Sequence, residues 1–74
     1  MTISSSVKKS IDRSALRLFR LAARKQQLAL GREIGRSQTW ISKVERGNPT
    51  YVVTEADLEN LARALGCQPA DLER

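Results

Sequence analysis

The stretch Gln38-Thr39-Trp40-Ile41-Ser42-Lys43-Val44 brings together an amide, two hydroxyls and an ammonium within two helical turns. If Ile41 and Val44 turn inward, Gln38 and Lys43 stay on the face left free. An amide can pair bidentately with adenine, an ammonium can reach guanine, and a threonine methyl can touch the methyl of thymine. These groups can recognise a polar surface but cannot by themselves break a bond. The plain alternative is an ordinary solvated helix face.

The composition narrows the other chemistries. The 74 residues contain no histidine and one cysteine, Cys67. An intrachain disulfide, a zinc site needing several Cys or His ligands, and a catalytic triad built on His are therefore excluded. There is no Gly-rich phosphate loop and no carboxylate pair placed to share a pocket wall, so an enzyme is not expected, nor is a cofactor. A lone thiol fits a reducing compartment. The amino terminus lacks the apolar stretch of a signal peptide. The longest apolar runs, such as Leu28-Ala29-Leu30, have three residues, against about 20 for a membrane span. A soluble, cytoplasmic protein without a membrane partner is expected.

Charge is distributed unevenly. Residues 1–46 hold eleven Lys and Arg against Asp12, Glu33 and Glu45, a net of +8, and residues 47–74 hold a net of −3. A basic front with an acidic back suits a polyanion on one side, nucleic acid above all.

The elements that would position these groups are short helices. The length allows one small domain with a marginal core. Residues 1–10, polar and Ser-rich, read as a flexible arm, and residues 11–74 as the domain. A first helix capped by Asp12 or Ser14 has Leu16, Phe19 and Ala23 on one face, widened by Ala15, Leu18 and Ala22. Arg13, Arg17, Arg20 and Arg24 form a basic edge on another side. Gln27 opens a second helix running through Leu30 and Ile34, and Ser37 caps a third that closes at Glu45-Arg46-Gly47. Only Gly35-Arg36-Ser37 separates these two helices, which is a helix-turn-helix arrangement. Gly31 in mid-helix costs about 1 kcal/mol relative to Ala, so it predicts a close crossing of the third helix over the second. Gly35 supplies the turn.

Asn48-Pro49-Thr50 reads as a turn, and Tyr51-Val52-Val53 is β-prone but too short and isolated for a strand. Thr54 and Asp57 form a capping box for a fourth helix over about Glu55–Leu65, with Leu58, Leu61 and Leu65 on one face and Gly66 as its stop. Gln68-Pro69 begins a fifth, which presents Leu72.

Three blocks in order resemble the Cro/repressor class of helix-turn-helix proteins, that of the lambdoid phage repressors and their bacterial relatives. These are Leu16-Arg17-x-Phe19-Arg20 with Ala22, Ile41-Ser42-Lys43-Val44-Glu45-Arg46-Gly47, and Leu61-Ala62-Arg63-Ala64-Leu65-Gly66 with Leu72. The resemblance covers about residues 12–72. It implies an all-α, compact five-helix, lambda-repressor-like fold with the helix-turn-helix at helices 2 and 3. It also implies a sequence-specific regulator of transcription, of the phage or prophage repressor kind, whose partner is double-stranded DNA. Relatives of other kinds leave two alternatives: an antitoxin that binds a toxin and regulates its own operon, and a controller of restriction-modification genes.

The resemblance assigns base reading to Gln38, Thr39, Ser42 and Lys43. It assigns backbone phosphates to Gln27 and Ser37 at helix starts and to Arg46, Asn48 and Tyr51 after the third helix. It pairs Arg20 with Glu45 as a structural ion pair. Four features depart from the pattern. Lys25 stands where an apolar residue is usual, and the 48–54 loop is slightly longer than in the shortest phage repressors. Arg36 replaces a small or apolar turn residue, adding a candidate phosphate contact. Trp40 is large for its slot and packs either inward or on the DNA backbone. A homodimer on DNA is implied, with Val52, Val53 and Leu72 as interface residues and recognition helices about 34 Å apart. Leu18 and Leu28 exceed what the core needs. Lys8 and Lys9 are candidates for a basic arm along the duplex.

Overall fold

The computed structural model describes residues 8–74: β1 (Lys8–Lys9), α1 (Arg13–Ala22), α2 (Gln27–Glu33), α3 (Gln38–Glu45), β2 (Val53–Thr54), α4 (Glu55–Leu65) and α5 (Pro69–Leu72). The fold is all-α apart from the two-residue strands. Each long helix begins where its sequence supplies a cap. Asp12 Oδ1 accepts from the amide of Ala15 at 3.1 Å, and Ser37 Oγ accepts from that of Trp40 at 3.1 Å. Thr54 and Asp57 exchange bonds in the expected capping box, and α4 runs over Glu55–Leu65 as expected, ending at Gly66. Capping of this kind contributes about 1 kcal/mol per helix.

The core lies where the helices converge. Leu16, Leu30, Ile41, Leu58, Leu61 and Leu72 are fully buried, with Trp40, Val44, Val53, Ala62 and Leu65 packed beside them. The buried stripe of α1 is narrower than its sequence suggests. Leu16 lies inside with Ala15, Phe19 and Ala23 against it, whereas Leu18 is 67% exposed and Ala22 is exposed. Two residues on from Leu16, Leu18 stands about 200° round the helix and so faces away from the core. Leu28 is exposed as well.

Gly31 meets a different neighbour from the one expected. A Cβ there would lie 2.9 Å from the carbonyl oxygen of Arg36 and 3.0 Å from the carbonyl carbon and oxygen of Ser37. The close approach is therefore made by the turn leading into α3, and the crossing of the α3 helix itself is not what demands glycine. The same turn contains Gly35 in the left-handed region (φ 75°), where a Cβ would be strained.

Three other expectations are corrected. Lys8 and Lys9 do not belong to an arm: they pair antiparallel with Thr54 and Val53, and Lys9 Nζ lies 4.0 Å from Glu55 and 3.7 Å from Glu73. The rest of the expected arm, residues 1–7, falls outside the described residues. The β-prone run does yield a strand, at Val53–Thr54, because β1 gives it a partner. Val53 and Leu72 are core residues, 3% and 0% exposed, and cannot line a dimer surface; their own chain covers them, and only Val52 remains exposed.

Candidate nucleic-acid interface

α3 is fixed at both ends and along its inner face. Ser37 caps its start. At its other end Arg13 Nη1 donates to the carbonyl of Arg46 at 2.7 Å, placing a cation where the helix dipole favours one. Ile41 and Val44 are buried on its inner face. Gln38 and Thr39 are exposed, and Ser42 and Lys43 are half-buried. None of these four side chains has a hydrogen-bond or ion-pair partner among the described residues. They form one polar margin on a rigid support.

That support rests on an ion pair. Arg20 Nε lies 2.5 Å from Glu45 Oε2 and Nη2 lies 3.0 Å from Oε1, with side-chain exposures of 10% and 6%. Arg20 Nη1 also donates to the carbonyl of Lys25 at 3.0 Å. One residue thus ties α1 to the end of α3 and to the turn before α2. Gln27 Nε2 donates to Glu45 Oε1 at 3.2 Å, so this amide, expected on a phosphate, is joined to the pair; its oxygen and second N–H are left for other partners.

The remaining expected phosphate contacts divide. Arg46 is exposed, with its guanidinium unpaired among the described residues. Ser37 keeps a hydroxyl proton to donate. Asn48 Oδ1 closes its own turn by accepting from the amide of Thr50 at 2.9 Å, leaving its NH₂ to donate outward. Tyr51 is half-buried and packs on the core.

Trp40 is corrected, and Arg36 has an acceptor within the chain. The Arg36 guanidinium grips Asp57 through Nη2 at 2.8 and 2.9 Å and Nε at 3.2 Å, and it stacks over the Trp40 ring at 4.7 Å. Its charge is balanced within the chain, while the side chain stays 39% exposed and Nη1 has no acceptor among the described residues. Trp40 is 7% exposed, so its ring is a core group and too little of it is outside to stack on DNA.

Asp57 is the residue the sequence reading undervalued. It was legible as the N3 partner of Thr54, but nothing local links it to an arginine 21 positions earlier. It is 6% exposed and accepts from Thr54 as well as Arg36. Asp57→Ala removes the side-chain half of the capping box and a charge-assisted fork together, an expected loss of about 3 kcal/mol. Urea denaturation measures it; a loss under about 1 kcal/mol would mean the fork contributes nothing net.

Cys67 offers no reactive thiolate. Burial first, and the nearby Asp71 carboxylate second, push its thiol above the ordinary value, which keeps it protonated near neutrality.

The geometry is that of two short helices set at a tight turn, the second presenting a free polar margin. The helix-turn-helix domain family matches residues 14–74. This chain belongs to that family. Comparison with curated proteins and with solved structures found no match. In a helix-turn-helix domain that binds DNA, the second helix of the motif lies in the major groove with its N-terminal residues at base edges. In this helix-turn-helix domain that helix is α3, and Gln38 and Thr39 stand at its N-terminus. Membership points to a DNA-binding regulator. No helix among the described residues is long and apolar enough to cross a membrane.

Proposed function

We propose that this helix-turn-helix domain regulates transcription by sequence-specific binding of double-stranded DNA, in the manner of phage and prophage repressors, and catalyses no reaction. The observation that supports this best is the unpaired polar margin of α3, backed by buried Ile41 and Val44 and held by the Arg20–Glu45 pair. Gln38 and Lys43 supply bidentate and cationic readers, Thr39 a methyl, and Ser42 a hydroxyl of either polarity. Arg46, Ser37, Asn48 and Gln27 retain donors for the phosphates on either side. The +8 net charge of residues 1–46 supplies the long-range attraction.

The protein binds as a homodimer on a palindromic site, its two recognition helices about one helical turn of DNA apart, roughly 34 Å. Among the residues first assigned to the contact, exposed Val52 supports it.

Selection of bound duplexes from a random pool tests the reading. A palindromic consensus is the expected product, and a pool that never enriches would refute specific binding. With the consensus in hand, Gln38→Ala should lose about 1–3 kcal/mol of discrimination at a single base pair of each half-site. Its affinity for random duplex should stay near that of the wild type. Equal losses on both duplexes would remove Gln38 from base reading.

A further inference from the structure

Between α1 and α3 lies a polar depression of about 260 Å³, lined by Arg17, Arg20, Gln27, Ser42, Glu45 and Arg46. Its charges do not balance locally. Arg20 and Glu45 cancel each other as a bidentate pair, and Gln27 adds a neutral amide on the same carboxylate. Arg17 and Arg46 are left. Both are exposed, and neither guanidinium has an acceptor among the described residues. The depression therefore has a neutralised floor and an uncompensated charge of +2 from two arginines. Ser42 belongs both to this depression and to the reading margin of α3, so an anion seated here lies beside the bases that α3 reaches.

We infer that Arg17 and Arg46 each take a backbone phosphodiester of the bound duplex at this depression, which makes the basic edge of α1 part of the DNA-binding surface. The inference rests on the DNA-binding reading above. It adds a contact from outside the helix-turn-helix itself. Guanidinium is the cation suited to the task, since its planar fork matches phosphate oxygens bidentately. The contact reads no base: it fixes the register of α3 in the groove. The buried pair beneath has a second effect. With Glu45 saturated by Arg20 and Gln27, its carboxylate does not compete with the phosphate for Arg17 and Arg46.

The test measures binding of a fluorescent mixed-sequence 20-base-pair duplex between 50 and 200 mM salt. Arg17→Ala and Arg46→Ala should each flatten the slope of log affinity against log salt by about 0.9, so the affinity lost across that range shrinks about 3.5-fold. Arg17→Lys should keep the slope, and Arg63→Ala, which changes an exposed arginine of α4, should match the wild type. Arg17→Gln serves as the neutral variant should the alanine variant lose its helical circular dichroism. A wild type with a steep slope and an Arg17→Gln variant with the same slope would overturn the phosphate seat while leaving DNA binding intact. A wild type that binds no duplex at any salt would overturn both, and the two failures are told apart by the wild-type curve alone.

Discussion

Gly31→Leu should abolish cooperative folding. A Cβ at this position meets three backbone atoms within 3.0 Å: the carbonyl oxygen of Arg36 and the carbonyl carbon and oxygen of Ser37. Backbone has no alternative rotamer to adopt. The turn is also tethered, since the Arg36 amide donates to the carbonyl of Gly31 at 2.7 Å and the Arg36 side chain is forked onto Asp57. Leucine adds three further carbons to that collision. Inserting a few carbons into a packed site costs roughly 1–3 kcal/mol and more where nothing yields. A domain of this size holds only about 4–11 kcal/mol in total. Gly31→Ala isolates the first contact: its gain of about 1 kcal/mol in helix propensity works against the crowding. Urea melts followed by circular dichroism decide the matter. A leucine variant with the wild-type midpoint would show that the turn moves aside freely.

Glu45→Ala should cost about 3–5 kcal/mol, the usual price of leaving one member of a buried ion pair behind. Arg20, its side chain 10% exposed, would keep only the carbonyl of Lys25. Gln27 would lose the acceptor of its bond as well. The loss should fall on DNA binding too, because the end of α3 would no longer be fixed to α1. Replacing both partners with apolar residues, Arg20→Met with Glu45→Leu, should recover most of the stability, since an apolar pair carries no desolvation penalty. The Lys25–Glu33 pair provides the comparison. It sits at 28% and 42% side-chain exposure, and Lys25→Ala should shift stability by no more than about 0.5 kcal/mol. Equal effects at Glu45 and Lys25 would mean that the buried pair is no stronger than a solvated one.

What could be read from the chain followed the range of the interaction. The Ser37 cap, the Thr54–Asp57 box, the Gly35 turn and the bounds of α4 depend on residues within four positions of one another, so their chemistry is written locally. Arg20 and Glu45 are distant in the chain and came only through resemblance to a family. The partner of Arg36 could not be read, because Asp57 already had a local role and one residue type gives no sign of a second. Trp40 was ambiguous because an amphipathic ring suits both a core and a phosphate. Val53 and Leu72 read as interface residues until the neighbours that cover them were in place. Lys8 and Lys9 look like a basic tail in isolation, and only the position of Val53–Thr54 turns them into a strand. For the candidate site, the polar margin of α3 was visible in its residue types. The depression at Arg17 was not, since it needs three helices to form its walls.

The carboxyl-terminal residues also bear on how this protein can be handled. The amide of Arg74 donates to the carbonyl of Ser10 at 2.8 Å, and that of Asp12 donates to the carbonyl of Leu72 at 2.7 Å. The backbone at the far end of the globule's last helix is thus stitched to the stretch ahead of the first. A reporter attached after Arg74 would emerge at the same corner as the chain entering at Ser10. A short peptide bridging that corner would convert residues 10–74 into a ring without bending any helix.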